Sequence, residues 1–211
     1  MKVQVEKSHY DFSKYVDEHR WNSYWNQINE ALKVKGNKVL VIGAGDGIVV
    51  DVLRKFGKSV DTFDFDKALN PDIVGSVTEV DEIVKNKYDV ILCCQVLEHI
   101  PFEQFDDTAR RIKSILADDG RFILSLPNYS LKWKMNVKLP KMPELNKRAV
   151  SKKPFRKKWD IKKDGFGEHY WEINAKGSEE KIVKNILKKY YTIEKRFLPS
   201  DNLYHIFYIL K

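Results

Sequence analysis

Cysteine is almost missing from this sequence. The only two, Cys93 and Cys94, are adjacent inside an apolar run. Neighbours so placed cannot staple distant parts of a fold, so a disulfide framework is excluded. This usage fits a reducing cytoplasm, and no cysteine pair has the spacing of a metal site. Long hydrophobic runs are lacking too, and none approaches the ~20 apolar residues that span a bilayer. The opening stretch, Met-Lys-Val-Gln-Val-Glu-Lys-Ser-His, contains no apolar segment of a secretory signal, so the expected location is the cytoplasm. There are no internal repeats and no low-complexity tract.

What is present is enough apolar material for a real core. Of 211 residues, 43% are hydrophobic and 12% aromatic, which excludes global disorder. This length supports one domain, residues 1–211, with an elaborated insertion. The net charge of +8 is not spread evenly. Residues 131–163 carry thirteen lysines and arginines against Glu144 and Asp160, so the remainder of the chain is slightly acidic. The basicity belongs to one segment. Trp133, Phe155 and Trp159 are interleaved with it, which suits either nucleic acid, through phosphate attraction and base stacking, or a mobile flap over a small or anionic substrate.

The most informative stretch is Val39-Leu-Val-Ile-Gly-Ala-Gly-Asp-Gly47. A β-branched run without alternation predicts a strand buried on both faces of a parallel sheet, hence a layered α/β domain. Glycines at its carboxyl end let the backbone turn tightly and let a ligand come close. The helix expected from Ile48 to Phe56 then points free N–H groups at that ligand. Val60 to Phe65 predicts the second strand, with Asp64 at its carboxyl end, where a nucleotide-binding α/β fold places an acid against a ribose. Asp61 and Asp66 compete for that role.

Around this centre the pattern continues. Asp11 to Leu32 predicts a helix with Trp21, Tyr24, Trp25, Ile28 and Leu32 on one apolar face. That N-terminal helical unit, residues 1–36, is placed either as a lid over the glycine loop or as packing on the sheet. Ile73 to Val77 predicts a short third edge, Val80 to Asn86 a short helix, and Tyr88 to Cys94 another apolar strand. A helix follows Pro101 and stops near Gly120. Arg121 to Leu126 predicts a fifth strand, and the insertion, residues 131–176, lies over the top of the sheet. Glu179 to Tyr190 predicts an amphipathic helix. Thr192 to Leu198 and Tyr204 to Leu210 then predict an antiparallel hairpin.

Together these pieces resemble the class I S-adenosylmethionine-dependent methyltransferases. The resemblance is carried by the glycine stretch, Asp64, Asp72-Ile-Val-Gly-Ser76, Tyr88-Asp-Val-Ile-Leu-Cys-Cys-Gln-Val-Leu-Glu-His-Ile-Pro101 and Phe122-Ile-Leu-Ser-Leu-Pro-Asn128. It covers about residues 37–130 well, and the closing helix and hairpin fit the family's end. It implies a Rossmann-like, seven-stranded, mostly parallel sheet with an antiparallel last strand and helices on both faces. It further implies that S-adenosylmethionine lies along Gly43, Ala44, Gly45 and Gly47. Asp64 would bind the ribose, with Phe65 beside it. Gly75, Ser76 and Val77 would border the adenine, and Cys94 and Gln95 the sulfonium. In two places the chain departs from the family's pattern, since Val41 and Ser76 stand where acids are frequent.

The chemistry needs a base only if the acceptor is a protonated group. The candidates are His99, Tyr129 and His169, the last within Gly165-Phe-Gly-Glu-His-Tyr-Trp171. No metal is expected, although Glu98 and His99 with His169 would supply three oxygen or nitrogen ligands. No Asn/Asp-Pro-Pro-Tyr element follows the fourth strand, which argues against nucleobase amines as acceptors. The expected function is methyl transfer to a small-molecule, glycan or lipid-linked acceptor. The alternatives are an RNA methyltransferase using residues 131–163 and an inactive protein that binds S-adenosylmethionine. A nicotinamide dehydrogenase is disfavoured, because Ile48 and Val49 follow the glycines where GxGxxG needs a further glycine.

Overall fold

The computed structural model describes residues 10, 12–137, 145–151 and 169–211. Its centre is β1 (Lys38–Ile42), which pairs in parallel with β2 (Ser59–Asp64) on one side and β4 (Tyr88–Cys94) on the other. Outward from β2 lies β3 (Ile73–Val74), and outward from β4 lies β5 (Leu116–Pro127). After them come β6 (Leu131–Val137), β7 (Leu145–Ser151), β8 (Ile193–Phe197) and β9 (His205–Leu210). The main sheet has seven strands in the order β3-β2-β1-β4-β5-β9-β8. Strand β9 runs antiparallel to both β5 and β8, so it alone is reversed. The direction of winding changes between β1 and β4, which is where such a sheet opens a crevice at its carboxyl edge.

Why the strands lack alternation is plain from the packing. Leu40, Ile42, Ile91, Cys93, Phe122 and Leu124 face one buried cluster, and Val39, Val41, Val90, Leu92 and Ile123 face the other. Helices α1 (Phe12–Tyr15) and α2 (Glu18–Leu32) begin the chain, and α3 (Ile48–Lys55) follows β1. The second cluster takes Tyr24 and Ala31 from α2 and Val49, Val50 and Leu53 from α3. The first takes its helical residues from α4 (Val80–Ile83), α5 (Phe105–Ser114) and α6 (Glu180–Tyr190). The result is three layers with no exposed face on the central strands.

Several boundaries differ from those expected. The N-terminal helix is broken at Asp17, whose extended backbone and side-chain acceptor for the Arg20 N–H (2.7 Å) start α2 afresh. Its apolar face is also displaced, since Trp21 and Trp25 are exposed while Ser23, Gln27 and Glu30 are buried. The helix after Pro101 starts with a turn at Phe102–Gln104 and ends at Ser114. Gly120 therefore lies within β5, where a Cβ would come 3.0 Å from the Asp89 carbonyl oxygen. Leu131–Val137 and Leu145–Ser151 form an antiparallel pair outside the main sheet. The rest of the basic segment, including Phe155 and Trp159, and the start of the proposed lid lie outside the described residues. Among the described residues, no helix is long and apolar enough to cross a membrane.

Candidate active site

A cleft of about 240 Å³ opens over the carboxyl ends of β1, β2 and β4. Its floor is the glycine loop. Gly43 has φ +76°, a conformation L side chains rarely adopt, and a Cβ there would fall 2.4 Å from Val96 Cγ2. Its N–H donates to the Phe63 carbonyl at 2.9 Å, which fixes the turn against β2. Gly45 is also left-handed, at φ +58°, and a Cβ added there would stand 3.5 Å from the Tyr10 ring. This part of the cleft is therefore backbone with little in front of it, a cradle that side chains would fill.

Asp64 stands on the wall, with Phe65 beside it. Its Oδ1 accepts the Asp66 N–H at 2.9 Å. Burial first, and then the neighbouring Asp66 carboxylate, hold the Asp64 carboxyl above its ordinary range, against the pull of its backbone donors. A carboxylate can accept several hydrogen bonds, and one lining the cleft suits a ligand carrying hydroxyls. Ala44, Gly75, Val77, Cys94 and Gln95 complete the expected lining. Burial pushes the Cys94 thiol up to about 12, so it faces the cleft as a neutral group. Gln95 has φ +59°, unusual for a residue with a side chain, and Ser125 holds it through a backbone bond of 3.0 Å and a side-chain bond of 3.2 Å. Such strain persists where the surroundings dictate it, commonly at functional sites.

Gly47 and Ser76 are not part of the lining. Gly47 caps α3 at φ +82°, and the Ser76 side chain caps the turn Val77–Glu79. Val41 does line the cleft, where the family pattern has an acid.

Helix α2 supplies a further wall, largely through polar residues that sequence reasoning missed. Arg20, Ser23, Tyr24 and Gln27 reach the cleft. The Tyr24 hydroxyl donates to Asp46 of the glycine loop at 2.6 Å, and Ser23 Oγ lies 2.8 Å from His205 Nδ1. Helix α2 therefore packs on the sheet and also touches the glycine loop through Tyr24. Polar residues at helical spacing on a face that must be buried were the available signal.

At the other end lie His99 and His169, with ring centroids 4.9 Å apart and nearly perpendicular. Chain segments about seventy residues apart are joined here. The Tyr170 N–H donates to the Glu98 carbonyl at 2.8 Å, and Trp171 Nε1 donates to the carbonyls of Leu97 (3.2 Å) and Ile100 (3.1 Å). His169 Nδ1 is 3.1 Å from Glu172, which also accepts from the Tyr204 hydroxyl. Tyr129 does not line this cleft, and its N–H donates to the Ile173 carbonyl at 2.8 Å.

Behind the two histidines is Glu98. It is fully buried, and neither carboxylate oxygen has a hydrogen-bond partner among the described residues. Burial pushes its carboxyl up to about 8, against the pull of His169 and with a further push from Glu172. Ligand atoms of Glu98, His99 and His169 all lie within 4.8 Å of one another.

The strand order, the single reversed strand and the crevice above the glycine loop define the fold of the class I S-adenosylmethionine-dependent methyltransferases. Residues 16–172 match the model of a methyltransferase-domain family, and the chain belongs to that family. A ubiquinone biosynthesis O-methyltransferase of Actinobacillus pleuropneumoniae serotype 7 is 30% identical over 122 residues, covering 48% of this chain and 50% of the relative. One from Coxiella burnetii is 26% identical over 122 residues, covering 50% of each chain. The chain thus spans about half the length of the curated relatives it matches. Among solved structures, the N-methyltransferase NodS of Bradyrhizobium japonicum WM9, in complex with S-adenosylhomocysteine, superposes with TM-score 0.62 at 12% identity, over 94% of this chain and 90% of its own. The CcbJ methyltransferase of Streptomyces caelestis gives TM-score 0.62 at 12% identity, over 98% and 99%. At that identity the likeness concerns the fold.

Proposed function

We propose that this chain transfers a methyl group from S-adenosylmethionine to a small-molecule, glycan or lipid-linked acceptor. The observation that carries this is the division of one cleft into two chemically different ends. Gly43, Ala44, Gly45 and Asp64 offer bare backbone and a carboxylate, and His99 and His169 offer two imidazoles. The glycine end fits S-adenosylmethionine, whose ribose Asp64 would hold, with Phe65, Gly75 and Val77 towards the adenine and Cys94 and Gln95 towards the sulfur. When bound, the cofactor supplies a methyl group already activated on a sulfonium.

The remaining work falls to the chain. Gln95 and Val96 follow β4 at the junction of the two halves and position what meets there. Tyr10, Tyr15 and Tyr24 exclude water. For a hydroxyl acceptor, His169 takes the proton. Glu172 at Nδ1 orients the ring, and Tyr204, its own hydroxyl held protonated by burial and then by Glu172, steadies that carboxylate. His99 packs against the His169 ring and orients it. The curated relatives, ubiquinone biosynthesis O-methyltransferases by name, support a small-molecule acceptor. The RNA alternative rests on the basic segment, much of which lies outside the described residues.

Calorimetry with S-adenosylhomocysteine against NAD, followed by transfer of a labelled methyl group to an acceptor panel, tests the proposal. Micromolar binding of the homocysteine compound with labelled product supports it. No such binding overturns it, and binding without turnover on phenols, sugars and amines replaces it with an inactive binding protein.

A further inference from the structure

A fully buried carboxylate with no hydrogen-bond partner is a costly object. Taking an ionised carboxyl out of water without compensation costs several kcal/mol or more, so such groups are paired, protonated or bound to a cation. Glu98 is 0% exposed, and both of its oxygens lack a partner among the described residues. On the cleft side it faces two imidazoles. The ligand atoms of Glu98, His99 and His169 lie within 4.8 Å of one another. Two ligands of one ion, each bonded at ~2.1 Å, stand ~3–4 Å apart, so small ring rotations close the set.

We propose that Glu98, His99 and His169 bind one divalent first-row transition-metal ion at the acceptor end of the cleft. Two imidazoles and one carboxylate suit zinc, manganese, iron or cobalt and leave coordination positions open. Those positions face the cleft, because His99 and His169 line it while Glu98 lies behind. Two surrounding features match a metal site. Glu172, 5% exposed, sits 3.1 Å from His169 Nδ1, the carboxylate–histidine pairing that fixes the ring and assigns Nε2 to the ion. The Tyr170 N–H and the Trp171 indole clamp the Leu97–Ile100 turn against the segment that carries His169, which holds ligands from both segments in place.

The role of the ion rests on the function proposed above; its binding does not. An acceptor hydroxyl bound to the ion loses its proton to solvent. Its oxygen then forms the bond to the methyl carbon, and the carbon–sulfur electron pair returns to sulfur, releasing a neutral thioether. His169 would then be a ligand, and the ion would replace it as the group that activates the acceptor.

The test uses the full chain, stripped with chelator and titrated with Zn²⁺ by calorimetry and with Co²⁺ by absorption spectroscopy. The expected result is one ion per chain with cobalt d–d bands of an ordered nitrogen–oxygen site. Glu98→Gln and His169→Asn weaken binding by at least ~100-fold, and Glu172→Gln by ~10-fold, as loss of an orienting partner does. Asp119→Asn, an exposed acid elsewhere, leaves it unchanged. Circular dichroism shows that each variant is folded, and S-adenosylhomocysteine binding is measured on the same samples. Absence of saturable Zn²⁺ or Co²⁺ binding below ~100 μM, or binding indifferent to Glu98→Gln and His169→Asn, overturns the metal site. If the homocysteine compound still binds in that case, the proposed function stands. Metal binding without any homocysteine-compound binding has the opposite meaning.

Discussion

Replacing Asp64 by asparagine separates the cofactor claim from the fold. The amide keeps the shape of the side chain and an oxygen to accept the Asp66 N–H, a bond of 2.9 Å. What it removes is a half-buried negative charge beside Asp66. Burial, followed by that neighbour, raises the Asp64 carboxyl above its ordinary value of 3.8. The sign for stability follows. A carboxyl raised in the folded state contributes stability that is fully present below the unfolded value and lost as pH rises through the folded one. The apo Asp64→Asn protein should therefore match the parent below pH ~4 and be as stable or more stable above the raised value. Binding should move the other way. A hydrogen bond to a charged acceptor contributes about 1.5–3 kcal/mol, and the amide retains a weaker acceptor, so a net loss of ~2 kcal/mol is expected. That is ~30-fold in Kd for S-adenosylhomocysteine by calorimetry. Thermal unfolding of both apo proteins at pH 4, 6 and 8 gives the other half. An affinity within threefold of the parent, or a variant clearly less stable at pH 8, would refute the reasoning.

Three further substitutions address other parts of the argument. Gly43→Ala forces a side chain into a φ of +76° and against Val96 Cγ2 at 2.4 Å; it should cost roughly 2 kcal/mol in urea unfolding and weaken cofactor binding, and an unchanged midpoint would show that the loop gives way. Trp171→Phe strips the Leu97 and Ile100 carbonyls of their indole donor. It should cost about 1–3 kcal/mol and lower turnover while leaving S-adenosylhomocysteine affinity nearly unchanged, and an equal fall in both would mean that the two ends of the cleft are not separable. Glu30 is buried, which would raise its carboxyl, but hydrogen bonds from Lys195 (2.7 Å) and Lys33 (2.9 Å) outweigh that and hold it below its ordinary range. Its stability contribution is present above the unfolded value and lost as pH falls through the folded one, so Glu30→Gln should lose about 1–2 kcal/mol at pH 7 and converge with the parent in acid. A constant gap in melting temperature from pH 3 to pH 7 would contradict this.

The central strands were legible because burial on both faces leaves a local mark. Val39 to Ile42 and Val90 to Cys93 need apolar residues at every position, and no helix face has that pattern. Other parts were hidden by what they carry. Helix α2 buries Ser23, Gln27 and Glu30 because their partners are the cleft, His205 and Lys195, so its inward face reads as polar while Trp21 and Trp25 are exposed. Strand β6 does alternate, Leu131-Lys-Trp-Lys-Met-Asn-Val137, with Leu131, Trp133 and Met135 exposed. Its lysines drew attention to charge and away from that period of two. The pairing of Glu98 and His99 with His169 leaves no periodic trace, since it depends on hydrogen bonds between segments about seventy residues apart.

The two ends of the cleft are built by different means, and this determines how substitutions propagate. Gly43, Gly45, Asp64 and Gln95 are all set by the carboxyl ends of adjacent parallel strands, so their geometry comes with the sheet. His99 and His169 are set by a turn and a returning segment, held together by three donated hydrogen bonds and one ring contact. Each bond contributes only about 1 kcal/mol net, but Trp171 and Ile173 of the returning segment also pack in the first core cluster, and the Ile173 N–H donates to the Pro127 carbonyl at the end of β5, so a substitution there reaches the sheet as well.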